Sequence, residues 1–320
     1  MSEKRKEMGD QGMAGRAIKE YKGSHPLLTM TNPIPVRVAL TFLALISAPC
    51  VLSAATTDYA TAVLANNPYA YYRLGESSGT SAVDSSGNSR NGSYVNSPTL
   101  SVAGDGTGDT AAAFNGTNQR VLTGLSGFNS LGNFSMEFVF STTTTTTGLA
   151  LVGTANNGST TAFSVTTNAK SSGSALANST RIFLRDDAGS SISAGFVSSD
   201  LYNGSYNQLV ITFDSTLGAS GLKVYVNGAA VAVSASGTFG TSSAFGFAPT
   251  LAANNNRGTV ASFMPATFDE AAFYTTILSA SDVSAHYQAL TSIPEPSTAA
   301  ALAGLSVAAF VISRRRRAQA

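Results

Sequence analysis

Tryptophan is absent from this 320-residue chain, and cysteine and histidine nearly so, at one and two residues. The lone thiol, Cys50, has no partner, so no intrachain disulfide staples the fold and its core must hold it together. No zinc-ligand spacing, nucleophile elbow or phosphate-cradling glycine loop occurs anywhere. Charge is scarce as well, at 12% of residues. The formal net of +1 hides a division along the chain. Between Thr56 and Pro296, eight Lys and Arg stand against fourteen Asp and Glu, a net of about −6. That balance excludes a basic nucleic-acid surface and suits a soluble exported protein.

The positive charge sits at the two ends. Ile34–Ala55 reads IPVRVALTFLALISAPCVLSAA: one basic residue, an apolar stretch, the helix breaker Pro49, then small residues. This is the three-part layout of a signal peptide over residues 30–55, cut after Ala54 or Ala55 by signal peptidase on Sec export. Residues 1–29 form a polar extension, and Met30 is an alternative start. At the other end, Pro294, Glu295 and Pro296 precede an uncharged run from Thr298 to Ile312, followed by Arg314, Arg315, Arg316 and Arg317. As a helix this run spans about 22 Å, short of the ~30 Å hydrocarbon core. With arginines that prefer the cytoplasmic side, it reads as a weak transmembrane anchor.

Between these ends lie 241 residues, Thr56 to Pro296, enough for one large all-β domain. Short β-like runs are broken by Gly, Asn, Asp and Ser. In FSMEFVF, Phe134, Met136, Phe138 and Phe140 share one face, and in LKVYV so do Leu222, Val224 and Val226. Asn227-Gly228 predicts a tight hairpin, and Ala230–Ser234 a further strand. Tyr71 and Tyr72 alternate, and Tyr72 is assigned to the core. One segment reads as helical: Ser279 caps it, Asp282 sits in its first turn, and Val283, Tyr287 and Leu290 fall on one face. The expectation is an antiparallel β-sandwich over residues 56–291 with one short C-terminal helix.

Three stretches together resemble a family. Asn66–Tyr94 contains YYRLGE and DSSGN, Tyr206–Gly228 ends in YVNG, and Phe268–Ala289 reads FDEAAFYTTILSASDVSAHYQA. They resemble the opening, central strands and closing strand-plus-helix of laminin-G-like, concanavalin A-like domains, with Tyr72 and Tyr206 where Trp is common. The resemblance implies a jelly-roll sandwich that binds glycan or matrix protein. Residues 292–320 resemble a PEP-CTERM sorting signal. That implies an exosortase-type membrane enzyme as partner, transient anchoring at the inner membrane, and release or attachment at the surface of a Gram-negative cell.

Calcium is the cofactor candidate. Asp84-Ser-Ser-Gly-Asn88 is a turn rich in hard oxygen donors. Related folds bring the first loop to the last strand with a cation between, which implies a site of Asp84, Asn88 and Asp269. The bland reading of Asp84 and Asn88 is Asx-type turn bonding. A laminarinase-like enzyme needs Glu-x-Asp-x-x-Glu on one strand, and no such motif is present. Glu137 is expected to be solvated or groove-facing, and His286 to serve at the surface or in packing. Tyr69, Tyr71, Tyr94 and Tyr202 are candidates for stacking on sugars. The expected protein is non-enzymatic, with a degenerate polysaccharide hydrolase or lyase, or a purely structural biofilm component, as alternatives.

Overall fold

A computed structural model describes residues 58–105, 109–125, 128, 132–155, 162–167, 179–240, 248–256 and 258–292. The signal-peptide cut at Ala54 or Ala55, the tripeptide Pro294–Pro296 and the Arg314–Arg317 block lie outside them. Among the described residues, no helix is long and apolar enough to cross a membrane.

In chain order the elements are α1 (Tyr59–Ala65), β1 (Ala70–Tyr72), β2 (Ser81–Ala82), β3 (Gly92–Val95), β4 (Thr99–Ala103), β5 (Thr110–Asn115), β6 (Arg120–Leu122), β7 (Asn133–Ser141), β8 (Ala150–Ala155), β9 (Ala162–Thr167), β10 (Ser179–Arg185), β11 (Ser191–Val197), β12 (Asn207–Asp214), β13 (Leu222–Val226), β14 (Ala229–Val231), β15 (Ser234–Gly237), β16 (Thr250–Leu251), β17 (Asn254–Asn256), β18 (Thr259–Ala261), β19 (Pro265–Tyr274) and α2 (Ala280–Thr291). They form two sheets. Sheet A runs β14-β13-β12-β7-β19-β5-β4, with β1 also on β19. Sheet B runs β15-β11-β10-β9-β8-β16-β6-β3-β2, with β17 and β18 attached through β8.

Side-chain alternation builds the sandwich. Phe134, Met136, Phe138 and Phe140 of β7 point inward beside Leu222, Val224 and Val226 of β13. They meet Phe163 and Val165 of β9, Ile182 and Leu184 of β10 and Ile192 of β11. Each such side chain stabilises the fold by roughly 1.5–3 kcal/mol. The predicted hairpin forms with positive φ at both Asn227 (52°) and Gly228 (75°). Ala230–Ser234 is not one strand: β14 pairs with β13 in sheet A, and β15 pairs with β11 in sheet B. The chain therefore changes sheets between Val231 and Ser234.

Sheet A is covered on its outer side too. Tyr71, Val139, Val210, Tyr225, Ala272 and Tyr274 form a second core with Tyr59, Ala60 and Val63 of α1 and Val283 and Ala289 of α2. Both Tyr71 and Tyr72 are thus core residues, on opposite faces. The sequence reading anticipated α2, which starts with a capping box in which Ser279 and Asp282 bond reciprocally. It missed α1, whose first residue Tyr59 and Val63, one turn later, face the sheet.

One strand takes three partners. β7 pairs along one edge of β19, while β5 pairs with Pro265–Phe268 and β1 with Ala271–Phe273 on the other. The register against β7 slips between Phe268 and Glu270, so Asp269 is the extra residue of a β-bulge. Phe268 and Ala271 face the inner core. Asp269 and Glu270 are both left in the gap where β5 gives way to β1.

Candidate functional site

The residues expected to share a cation separate into different roles. Asp84 forms an isolated bridge with Tyr72. Its Oδ1 accepts the amides of Tyr71 (2.9 Å) and Ser86 (3.0 Å), and its Oδ2 that of Arg90 (2.8 Å). Burial works to raise its carboxyl, but bonds from Ser86, Tyr71 and Arg90 outweigh it and hold the group below the ordinary carboxylate value. Asn88 donates to the carbonyls of Pro68 (3.1 Å) and Tyr69 (3.2 Å). Asp84 makes the Asx-type bond within the turn, and both residues tie the 84–90 turn to β1 and the segment just before it.

Asp269 instead meets two acids that the sequence reading did not nominate. Asp105, Asp109 and Asp269 each place a carboxylate oxygen within 4.8 Å of the others. The Asp105 amide donates to Asp269 Oδ2 (2.6 Å), while Asp269 Oδ1 has no hydrogen-bond partner and the residue is fully buried. Burial first, then the charge of Asp105, pushes the Asp269 carboxyl up to about 8. Gly104 makes the approach feasible: a Cβ there would stand 2.9 Å from both Asp269 Oδ2 and the Asp109 carbonyl. The Tyr206 hydroxyl pins the same loop by donating to the Ala103 carbonyl (2.6 Å).

The cluster extends to Glu270 and Arg73. Arg73 pairs with Asp109, and its Nε lies 3.7 Å from Glu270 Oε1. Burial raises the Glu270 carboxyl well above its usual range. Beside them an open cleft of about 250 Å³ is lined by Arg73, Gly75, Glu76, Val83 and Asp109. Asp109 and Glu270 thus flank the Arg73 guanidinium, and Asp105 and the buried Asp269 lie beside Asp109. The donors are all oxygens, and two buried carboxylate oxygens, Asp269 Oδ1 and Glu270 Oε2, have no hydrogen-bond partner, which fits a hard divalent cation such as Ca²⁺. The bulge that aims Asp269 here is invisible in the sequence. The DGTGD spacing of Asp105 and Asp109 was the available signal.

A second polar group lies between sheet A and the helices. Glu137 Oε1 accepts from the Tyr59 hydroxyl (2.9 Å) and Gln208 Nε2 (2.6 Å). Its Oε2 is bonded by His286 Nδ1 (2.8 Å) and the Tyr274 hydroxyl (3.3 Å). His286 Nε2 lies 2.8 Å from Asn66 Oδ1. An acceptor beside each ring nitrogen favours the protonated form of His286. Burial opposes this, but the bond to Glu137 and its charge raise the imidazole above its ordinary value. Glu137 is therefore not solvated or groove-facing, and His286 is not a surface residue: both are 1% exposed under the helices. Neither ring nitrogen is left for a nucleophile. Val139, Val210, Ala272 and Tyr274, the apolar residues on the otherwise polar outer face of β7, β12 and β19, were the sequence signal that a layer covers them.

The tyrosines offered as sugar platforms are occupied. Tyr71, Tyr94 and Tyr202 are buried. Tyr69 carries the Arg90 guanidinium 3.6 Å from its ring centroid.

Residues 115–284 match the family described as the concanavalin A-like lectin/glucanases superfamily, and residues 292–317 match the PEP-CTERM protein-sorting motif. No curated protein matches the chain. Among solved structures, the chain is similar to a botulinum neurotoxin type C structure whose title reports cell entry dependent on interaction with two ganglioside molecules. That match has TM-score 0.51 and 12% identity, covering 72% of this chain and 52% of that one. The binding domain of botulinum neurotoxin serotype D aligns with TM-score 0.50 and 12% identity, over 71% and 52%. Domain 4 of AbnA, a GH43 arabinanase from Geobacillus stearothermophilus, in complex with arabinotriose, aligns with TM-score 0.46 and 18% identity, over 69% and 98%. The chain spans about half the length of the neurotoxin domains, and at these identities the likeness is one of fold.

Proposed function

Because the chain belongs to the concanavalin A-like lectin/glucanase superfamily and carries a PEP-CTERM sorting motif, we propose that it is a non-catalytic binding protein of the cell surface or extracellular matrix. Its ligand is a glycan or a matrix protein, and an exosortase-type enzyme processes it near Pro294–Pro296. The observation that supports binding over hydrolysis is the disposition of the carboxylates. A glycosidase holds an acid and a nucleophile or base across a substrate groove. Here Asp269 and Glu270 are buried at a bulge, and Glu137 is consumed by four donors.

Calcium belongs to the same proposal, with a donor set of Asp105, Asp109 and Asp269 in place of Asp84, Asn88 and Asp269. Bound there, the ion would neutralise the cluster and fasten the β4–β5 loop to β19. Asp109 also lines the open cleft, so the ion would set the shape of that cleft.

A glycan and matrix-protein array probed with the exported protein, with and without EDTA, tests the reading. Saturable binding that weakens in EDTA is the expected result. Release of reducing ends from a bound polysaccharide would overturn the non-catalytic assignment. Mass spectrometry of the exported protein is expected to find an N-terminus after Ala54 or Ala55.

A further inference from the structure

The outer face of β10 presents Arg181, Phe183 and Arg185, because Ile182 and Leu184 between them point into the core. Strand register sets their neighbours. Phe183 stands opposite Ser164 on β9 and Ser193 on β11, and Ser193 opposite Ser236 on β15. With strands about 4.8 Å apart, these four residues make a row across sheet B, in which Ser164 is buried and the Phe183 ring, Ser193 and Ser236 are at least partly accessible.

Arg181 is fixed over this row. Its Nε donates to Ser193 Oγ (3.0 Å), and its Cζ lies 4.9 Å from the Phe183 ring centroid. Among the described residues no carboxylate pairs with it, and its terminal nitrogens make no hydrogen bond. Arg73 by contrast is paired with Asp109. Burial lowers the Arg181 pKa with no acidic group offsetting it, as befits a desolvated cation without a counter-charge. A half-buried guanidinium anchored through Nε, with its outer N–H groups unspent, is suited to bidentate capture of a carboxylate.

We propose that this part of the sheet B face binds an acidic glycan, with Arg181 taking a sugar carboxylate and Phe183 and Ser193 holding the guanidinium in place. Charge complementarity selects an anion. The chemistry of the row selects a sugar over an acidic peptide: the hydroxyls of Ser193 and Ser236 suit sugar hydroxyls, and Arg181 and Phe183 lie on the face of the sheet, two strands in from the outer edge of β15. The inference rests on the reading of the protein as a binding module and names its ligand class.

The test is binding of the exported protein to polygalacturonate, to the same polymer after carboxyl reduction, and to poly-glutamate. Polygalacturonate is expected to bind, more weakly as salt rises, while the other two bind at least about tenfold less tightly. Arg181→Gln should cost about tenfold or more, and Phe183→Ala a smaller factor, both with wild-type thermal unfolding. Wild-type affinity in R181Q, equal binding of the reduced polymer, or equal binding of poly-glutamate would overturn the proposal. If a neutral glycan or matrix protein binds and polygalacturonate does not, this site assignment fails and the broader reading stands. If no array member binds, the broader reading fails.

Discussion

Glu137 and Asp269 lie on paired strands of one sheet, at 1% and 0% exposure, yet their surroundings differ in kind. Glu137 is met by two tyrosine hydroxyls, an amide and an imidazole. Asp269 is met by one backbone amide and two further aspartates, with an oxygen left over. A buried carboxylate costs several kcal/mol unless hydrogen bonds or opposite charge offset it. Around Glu137 the protein supplies the offset itself, and the result joins β7, β12 and β19 to both helices. Around Asp269 it does not, and the carboxyl is instead pushed up to about 8. The ratio of donors to carboxylates, more than burial, separates the clasp from the candidate site.

Removing the Glu137 carboxylate should have the largest effect. Glu137→Ala leaves the buried His286 imidazole and three further donors without their acceptor, at a cost of about 3–5 kcal/mol. For a domain of this size the thermal midpoint should fall by about 10 °C. If E137A unfolds like the wild type, the clasp is not structural and the comparison breaks. Calcium should come next. At a hundredfold excess over Kd it should stabilise the wild type by about 2.7 kcal/mol, reversibly with EDTA. Asp269→Asn should lose this increment, whereas E137A should keep it despite its lower midpoint. Differential scanning calorimetry of the three proteins with and without calcium gives the answer. An increment retained by D269N would remove the ion from the bulge.

A pH titration sharpens the contrast further. The His286 pKa is raised in the fold, with Glu137 and Asp282 as the facing charges and the Tyr59 ring edge against it. A raised value means that the folded state holds the proton more tightly. The contribution is therefore full below the unfolded value of about 6.5 and is lost as pH climbs through the folded one. Denaturant unfolding in EDTA from pH 6 upward should show stability declining with pH, and His286→Gln should flatten that part of the slope. An unchanged slope in H286Q would mean that the imidazole is not held protonated.

The two regions also differ in how much of them could be read beforehand. The inner faces of β7 and β13 were legible, because Phe134 to Phe140 and Leu222 to Val226 alternate with period two. The Asn227-Gly228 hairpin was legible because few dipeptides accept positive φ twice. Glu137 was misread because alternation was taken to mean water on the far side. That face mixes Ser135, Glu137, Gln208 and Thr212 with Val139, Val210 and Ala272, so only its apolar members hinted at a covering layer. The acidic cluster was half legible. Asp269 was singled out, but its partners depend on one inserted residue that turns Asp269 and Glu270 into the same gap. Nothing in FDEAAFY announces that bulge, so the turn around Asp84 was the more visible partner. α1 escaped because it is one helix of seven residues with no side-chain cap.

The smallest predicted effect concerns the helix that carries His286 into the clasp. Ser279 accepts the Asp282 amide (3.1 Å), and the Asp282 carboxylate accepts the Ser279 amide (2.9 Å). Both bonds are exposed, so water replaces much of what a substitution removes. Ser279→Ala should therefore cost only about 1 kcal/mol. It should also be additive with D269N, which lies on another element and shares no bond with it, and non-additive with E137A, since both loosen α2 on the sheet. A double-mutant cycle by denaturant unfolding measures this. Coupling of S279A to D269N, with none to E137A, would mean that α2 serves the acidic site and not the clasp.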